Sequence, residues 1–288
     1  MDLRSVVTRL ETTFPGRSIG HFVALQGLDR AVVLASQAFT ALIPLLILVT
    51  ALAPADRSDV VAEAIVRRFA LTGESAAAVT QLFASTGSGS IGVLSVFLLL
   101  FSGISLARRL QRMYLQAWAV QAPPGVGGAV NAAMGLAVLI LGIGLLYAAR
   151  SLVGSVLVAP VSAVAGFVVW LSVPWLLLDR RISWRRLIPS AALTAAGTSI
   201  YGVASTIYMP RLFASYSERY GLFGVTLALI GWLLCIALIV VASTAVATVL
   251  DRDQSSWARR IRRGLRIEPF AGRPAGPAGA GMTAERRG

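Results

Sequence analysis

The chain has 288 residues, 56% of them hydrophobic, a mean hydropathy of +0.75 and only 14% charged side chains. Such a composition lies outside the range of soluble globular domains. All 26 basic residues are arginine, set against 13 acidic ones for a formal charge of +13. Without lysine, a phosphate-binding loop of the Gly-rich, lysine-bearing type is excluded.

The first 30 residues are polar and carry Arg4, Arg9, Arg17, Arg30 and the sole histidine, His21. They read as a cytoplasmic N-terminal segment rather than a cleavable signal, because the apolar run that follows is long enough to span. Six stretches then lack Asp, Glu, Arg and His: residues 31–53, 91–107, 126–149, 151–178, 187–209 and 221–250. A helix of about 20 apolar residues crosses a hydrocarbon core of about 30 Å. Residues 91–107 are short for this, and residues 221–250 are long enough to tilt or to extend past the core.

Between the first two stretches lies the one long external connection, residues 54–90. Val60, Val61, Ala64, Ile65 and Phe69 recur there at helical spacing, with Asp59, Glu63 and Arg67 between them. Gly73 breaks the pattern, and Ser75 caps a second short helix reaching Phe83. This predicts one or two amphipathic helices that cover the bundle or lie in the headgroup layer. Pro160 and Pro174 punctuate the fourth stretch and narrow its membrane part to residues 161–178.

After Leu250, Trp257, Ile261 and Leu265 share one face, and Arg259, Arg260, Arg262, Arg263 and Arg266 fill the others. This basic amphipathic segment suits the inner leaflet, where each arginine near an anionic surface contributes on the order of 1 kcal/mol. Arg259, Arg260, Arg262 and Arg263 are its candidate headgroup contacts; a plain topology anchor is the alternative. Residues 271–288 hold too little apolar bulk to fold. The fold class is thus all-α: a bundle of six transmembrane helices over 31–250, a segment 1–30 before it and a basic tail 251–288 after it.

Arginine placement orients the bundle. Twenty arginines fall in the N-terminal segment, the connections after the second and fourth spans and the tail, and six fall on the other side. Arginine-rich short loops stay in the cytoplasm, which puts both termini there.

Ionisable residues within spans usually mark function. None occurs mid-span here, which disfavours a proton relay through a buried carboxylate. The polar groups inside are neutral. Gln37 and Thr40 precede Pro44 in the first span, and Asn131 opens the third. Ser190, Thr194, Thr198, Gly202 and Thr206 step by four along the fifth, winding slowly round the helix. Such a stripe suits either tight helix packing or the wall of a polar groove. Gln37 suits either an interhelical hydrogen bond or a substrate-facing role. Tyr220, Gly221, Gly224 and Trp232 mark the entry to the sixth span, where two glycines at i,i+3 bare the backbone. Candidate substrate-binding residues are therefore Gln37, Thr40, Pro44, Asn131, Thr198, Tyr220, Gly221, Gly224 and Trp232. No catalytic or metal-ligating set is visible, no cofactor is implied, and the chain does not read as an enzyme. Cys235 has no second thiol and reads as a small packing residue.

Two segments carry a family resemblance. Ser36-Gln37-Ala38-Phe39-Thr40-Ala41-Leu42-Ile43-Pro44-Leu45-Leu46 resembles the first-span signature of the YihY/BrkB family of integral membrane proteins. Tyr220-Gly221-Leu222-Phe223-Gly224-Val225, with Trp232 eight residues after Gly224, is similar to that family's element before the last span. The layout supports the resemblance over residues 17–252. One departure stands out: the family's last span ends in a Gly-Ala-Glu-like element, and here Ala242-Ser243-Thr244-Ala245-Val246 brings no carboxylate. The resemblance implies a cytoplasmic-membrane protein. It also carries a ribonuclease label, which the absence of an acidic or histidine metal cluster argues against.

Two functions of different class follow. One is transport or lipid handling, through a groove lined by spans 1, 3, 5 and 6. The other is a scaffold or envelope-assembly role, through the external helices and the tail. Expected partners are membrane lipids, anionic headgroups at the cytoplasmic face included; self-association stays open, and nucleic acid is not expected. A polar groove would favour the first function, and a dry bundle with an exposed external apolar patch the second.

Overall fold

The computed structural model describes residues 13–52, 89–121, 127–152 and 158–267, together with residues 63, 66, 73, 76 and 77. Among these every regular element is helical. In chain order they are α1 (Phe14–Ala24), α2 (Gly27–Leu52), α3 (Gly89–Ala117), α4 (Gly127–Leu152), α5 (Val158–Leu177), α6 (Trp184–Arg252) and α7 (Ser256–Gly264). Residues 1–12, most of the external connection and the tail beyond residue 267 lie outside the described residues, and with them the bulk of the expected external helices.

Local chemistry sets the ends. The Thr13 hydroxyl accepts from the Gly16 N–H at 3.3 Å and Pro15 occupies the first turn of α1, where its missing N–H costs nothing. Pro160 lies in the first described turn of α5, and Pro174 lies inside that helix. After α5, Asp179 and Arg180 both take left-handed backbone, with φ of 57° and 56°. The carboxylate of Asp179 is held there by the Asn131 amide at 3.0 Å and by Arg181 at 3.5 Å.

α3 corrects one expectation. Arg108, Arg109 and Arg112 were assigned to a loop, but the helix continues through them to Ala117. The short apolar window is thereby extended by a basic helical end.

α6 holds two arms. A straight helix of its 69 residues would reach roughly 100 Å. Instead Arg186 lies 3.7 Å from Asp251, and a Cβ on Gly197 would sit 2.7 Å from the Ile239 Cγ2 atom. Near the tip a Cβ on Gly224 would lie 2.6 Å from the carbonyl carbon of Tyr216, eight residues back, where a straight helix would separate them by about 12 Å. The chain therefore reverses between Tyr216 and Gly224, and the arms run antiparallel. These arms, Trp184–Tyr220 and Phe223–Arg252, and Pro160–Leu177 of α5 are long and apolar enough to cross a membrane. The first arm continues through Pro210, past the expected limit of residue 209. The first three expected spans fall on α2, α3 and α4.

α2 packs on α3 and α6, α4 on α5, α5 on α6, and α1 lies against α6. The main core, around Leu34, Tyr114, Leu177, Leu187 and Val241, sits toward the end carrying α1 and α7, here termed basal. A second cluster, Met209, Phe213 and Ala228, lies toward the hairpin tip, the distal end. Val66 and Ala76 of the external connection pack onto it, and Gly73 between them takes a φ of +58°.

Candidate functional site

At the basal end the first and last described helices are joined. Arg17 of α1 meets Asp253 at 2.9 Å, and that carboxylate is only 2% exposed. Asp253 also accepts from the Ser255 N–H at 2.9 Å, which sets the start of α7. Burial pushes this carboxyl up, but the Ser255 N–H and Arg17 outweigh it and hold it below the usual carboxylate range. Beside this pair the rings of Phe14 and Trp257 meet edge to face at 4.8 Å. Burial, reinforced by Arg252, holds the His21 imidazole below its ordinary value, against the Ala117 carbonyl that it hydrogen-bonds.

The C-terminal carbonyls of α6 at Leu250 and Asp251 accept from Arg262 of α7. This satisfies groups that every helix end leaves open. Beside them a cavity of about 530 Å³ is lined by Arg252, Gln254, Arg259, Arg262 and Arg263 together with Asp251. Its net positive charge suits an anionic headgroup.

The centre of the bundle differs in kind. A cavity of about 130 Å³ lies between α2, α3, α4, α5 and the second arm of α6. Leu34 and Ala38, Leu110, Leu136, Trp170 and Val173, and Ala237 and Val240 are among its walls, and no charged or hydroxyl side chain lines it. The first arm of α6 contributes nothing to it. Such an apolar lining favours hydrocarbon over water.

A family model described as virulence factor BrkB matches residues 18–263. The chain belongs to the BrkB virulence-factor family. No curated protein and no solved structure matches this BrkB-family chain. Family membership and the apolar helices together make it a membrane protein.

In this BrkB-family chain the predicted site residues do not gather in one place. Gln37 is half-buried on α2 beside, but not lining, the central cavity, whereas Leu34, Ala35 and Ala38 line it. Thr40 is exposed and donates to the Ser36 carbonyl at 2.9 Å. Of Pro44 only the helical backbone is described. Asn131 is buried at the basal end, bonded to Asp179. Thr198 donates to the Thr194 carbonyl at 2.7 Å. Its stripe is buried at Ser190 and Thr194 and exposed by Thr206, the drift that four-residue steps impose. Tyr220 is exposed at the distal tip, Gly221 has helical backbone there, and Gly224 is buried against Tyr216. Trp232 packs on the distal cluster. Gly224 lies thirteen residues from Ala237, roughly 20 Å along a helix, so the tip and the central cavity are separate places. The central cavity draws on α2, α3, α4, α5 and the second arm of α6, whereas the expected groove drew on the first, third, fifth and sixth apolar stretches.

Of the four tail arginines, Arg259, Arg262 and Arg263 line the basal cavity, Arg262 through its helix cap, and Arg260 is exposed. Within Ala242–Val246, the stretch that brings no carboxylate, Thr244 is fully buried and hydrogen-bonded to the Tyr114 hydroxyl across to α3. One further polar residue, Gln111, belongs to the same core. Gln111 donates to the Leu177 carbonyl at 2.8 Å, capping α5 from α3, and both groups are buried. Its signal was present: it shares a helix face with Ala107, Leu110 and Tyr114 and departs from the arginines around it.

Proposed function

We propose that this chain is a lipid-handling protein of the bacterial cytoplasmic membrane, with six spans, both termini in the cytoplasm and no catalytic activity of its own. The observation that carries the reading is the central cavity. Five helices contribute to it, and among the described residues its lining is apolar but for the Trp170 indole. A path for an ion or a hydrophilic solute needs polar partners along its length, because unsatisfied polar groups in hydrocarbon cost several kcal/mol each. An acyl chain needs none. The basal arginines, at the end expected to face the cytoplasm, add a place for a headgroup. A scaffold role is less well supported, because Val66 and Ala76 turn onto the bundle rather than outward.

The test is reconstitution into liposomes, with transfer of a fluorescent phospholipid between leaflets and solute flux measured side by side. Lipid transfer without solute flux is expected. Ala237→Phe, which fills the cavity, should return transfer to the level of protein-free vesicles while leaving the protein folded. Solute flux without lipid transfer would overturn the reading.

A further inference from the structure

Among the described residues, α3 presents a face that no other helix covers. Taking Phe101 as the reference and 100° per residue, Phe97, Ile104, Ser105, Arg108, Arg109 and Arg112 all fall within about 80° of it. The opposite face carries the buried Gly103, Ala107 and Tyr114, and Gln111, about 80° from Phe101 on the side away from Arg109, is buried too. On the free face Phe97 is 67% exposed and Phe101 79% exposed, and all three arginines are exposed. Ile104, Ser105 and the arginines enclose a recess of about 280 Å³ bounded by Phe101. Among the described residues none of the three arginines has an acidic partner. Moving toward the basal end, one continuous strip changes from aromatic hydrocarbon to concentrated positive charge within about two helical turns, roughly 10 Å.

We propose that this strip is a binding site for one anionic phospholipid, with its phosphate on Arg108, Arg109 and Arg112 and an acyl chain lying along Phe101 and Phe97. The pattern matches such a lipid in order and in scale: headgroup charge at the interface, hydrocarbon below it. Arginine suits phosphate because its planar fork donates two parallel hydrogen bonds. A second copy of the chain fits poorly, since a twofold contact through this face would set arginines against arginines. The site is separate from the basal cavity formed by α6 and α7. It holds whether or not the central cavity moves lipid, because it asks only for retention.

The experiment uses the full chain in nanodiscs of phosphatidylcholine mixed with phosphatidylglycerol, released for native mass spectrometry. The wild-type protein should retain phosphatidylglycerol in preference to phosphatidylcholine. Arg108→Gln, Arg109→Gln and Arg112→Gln combined should lower that preference by on the order of ten- to a hundredfold, each arginine at an anionic surface being worth about fivefold. Lysine at the same three positions should restore most of it, which separates loss of charge from loss of fold. Glutamine at Arg259, Arg260 and Arg263 should leave retention at α3 intact. A photo-crosslinking amino acid at Phe101 should capture the acyl chain of labelled phosphatidylglycerol. Unchanged preference in the α3 glutamine variant would overturn the proposal. So would competition by inorganic phosphate or RNA at equal charge, or a crosslink from Phe101 to a second protein copy in place of lipid.

Discussion

Gly224→Ala tests the hairpin of α6 directly. A Cβ at this position would lie 2.6 Å from the Tyr216 carbonyl carbon and 3.1 Å from the Tyr216 Cβ, whereas ordinary contact begins near 3.4 Å. The closest atom is the Tyr216 carbonyl oxygen, so the two arms would have to part by more than about 0.8 Å, against backbone and not a flexible side chain. Overpacking of this kind costs about 1–3 kcal/mol. Against it stands the gain of replacing glycine within a helix, about 0.5–1 kcal/mol. The net expectation is destabilisation of about 1–2 kcal/mol. Gly231→Ala is the matched control: it lies on the same arm, and a Cβ there meets nothing within 4 Å. It should therefore stabilise by about 0.5–1 kcal/mol through the same propensity term alone. Unfolding in mixed micelles of mild detergent and dodecyl sulfate, followed by circular dichroism, measures both. Gly224→Leu should lose the fold outright, while Leu229→Ala should cost little. Equal stability of Gly224→Ala and Gly231→Ala would refute the close approach of the arms.

Gln111→Leu should destabilise by about 1–3 kcal/mol in the same assay, because it leaves the buried Leu177 carbonyl without a donor; Gln111→Glu should be worse at neutral pH and partly recover in acid. Stability should also fall with acid in two windows. His21 is held below its ordinary 6.5, so its contribution is full above that pH and declines as pH drops below it; His21→Gln should flatten this part of the profile. Asp253 is held below the usual carboxylate range, so its contribution is full above about pH 4 and is lost as pH falls further; Asp253→Asn should remove that limb. For topology, a reporter active only outside the cytoplasm should work when inserted at Gly73 and fail at Gly288. The reverse pattern would invert the bundle.

Helix type and rough position were legible because hydrophobic runs long enough to cross a bilayer leave little choice of structure. Partnerships were harder to read. Gly221 and Gly224 announced a close backbone approach, but nothing local said that the neighbour would be the preceding arm rather than the first span. Asn131 stood among the candidates as a neutral polar group at the start of the third stretch. Its partner is Asp179, 48 residues on, at the same basal level. Arg262 read as one of several headgroup contacts, and its spacing gave no sign that it would turn back onto the α6 carbonyls. Arg108, Arg109 and Arg112 were counted as loop because charge usually ends a span, whereas backbone hydrogen bonding carries α3 on through them. The central cavity was invisible for a different reason: leucine and alanine that fill space and leucine and alanine that border it have the same sequence signal.

The pairing of Arg17 with Asp253 bears on how the protein is made. The two residues are 236 positions apart. At about 5–20 residues per second, a ribosome needs roughly 12–50 s to supply the second after the first. Throughout that interval Phe14 and Arg17 have no Trp257 and no Asp253 to meet, and α1 stays unlatched at the membrane surface. Its seat forms only when the second arm of α6 has been inserted and α7 has followed it. A helix made among the first is thus fixed by residues made among the last, and a chain that ends before Asp253 lacks the partner that holds α1.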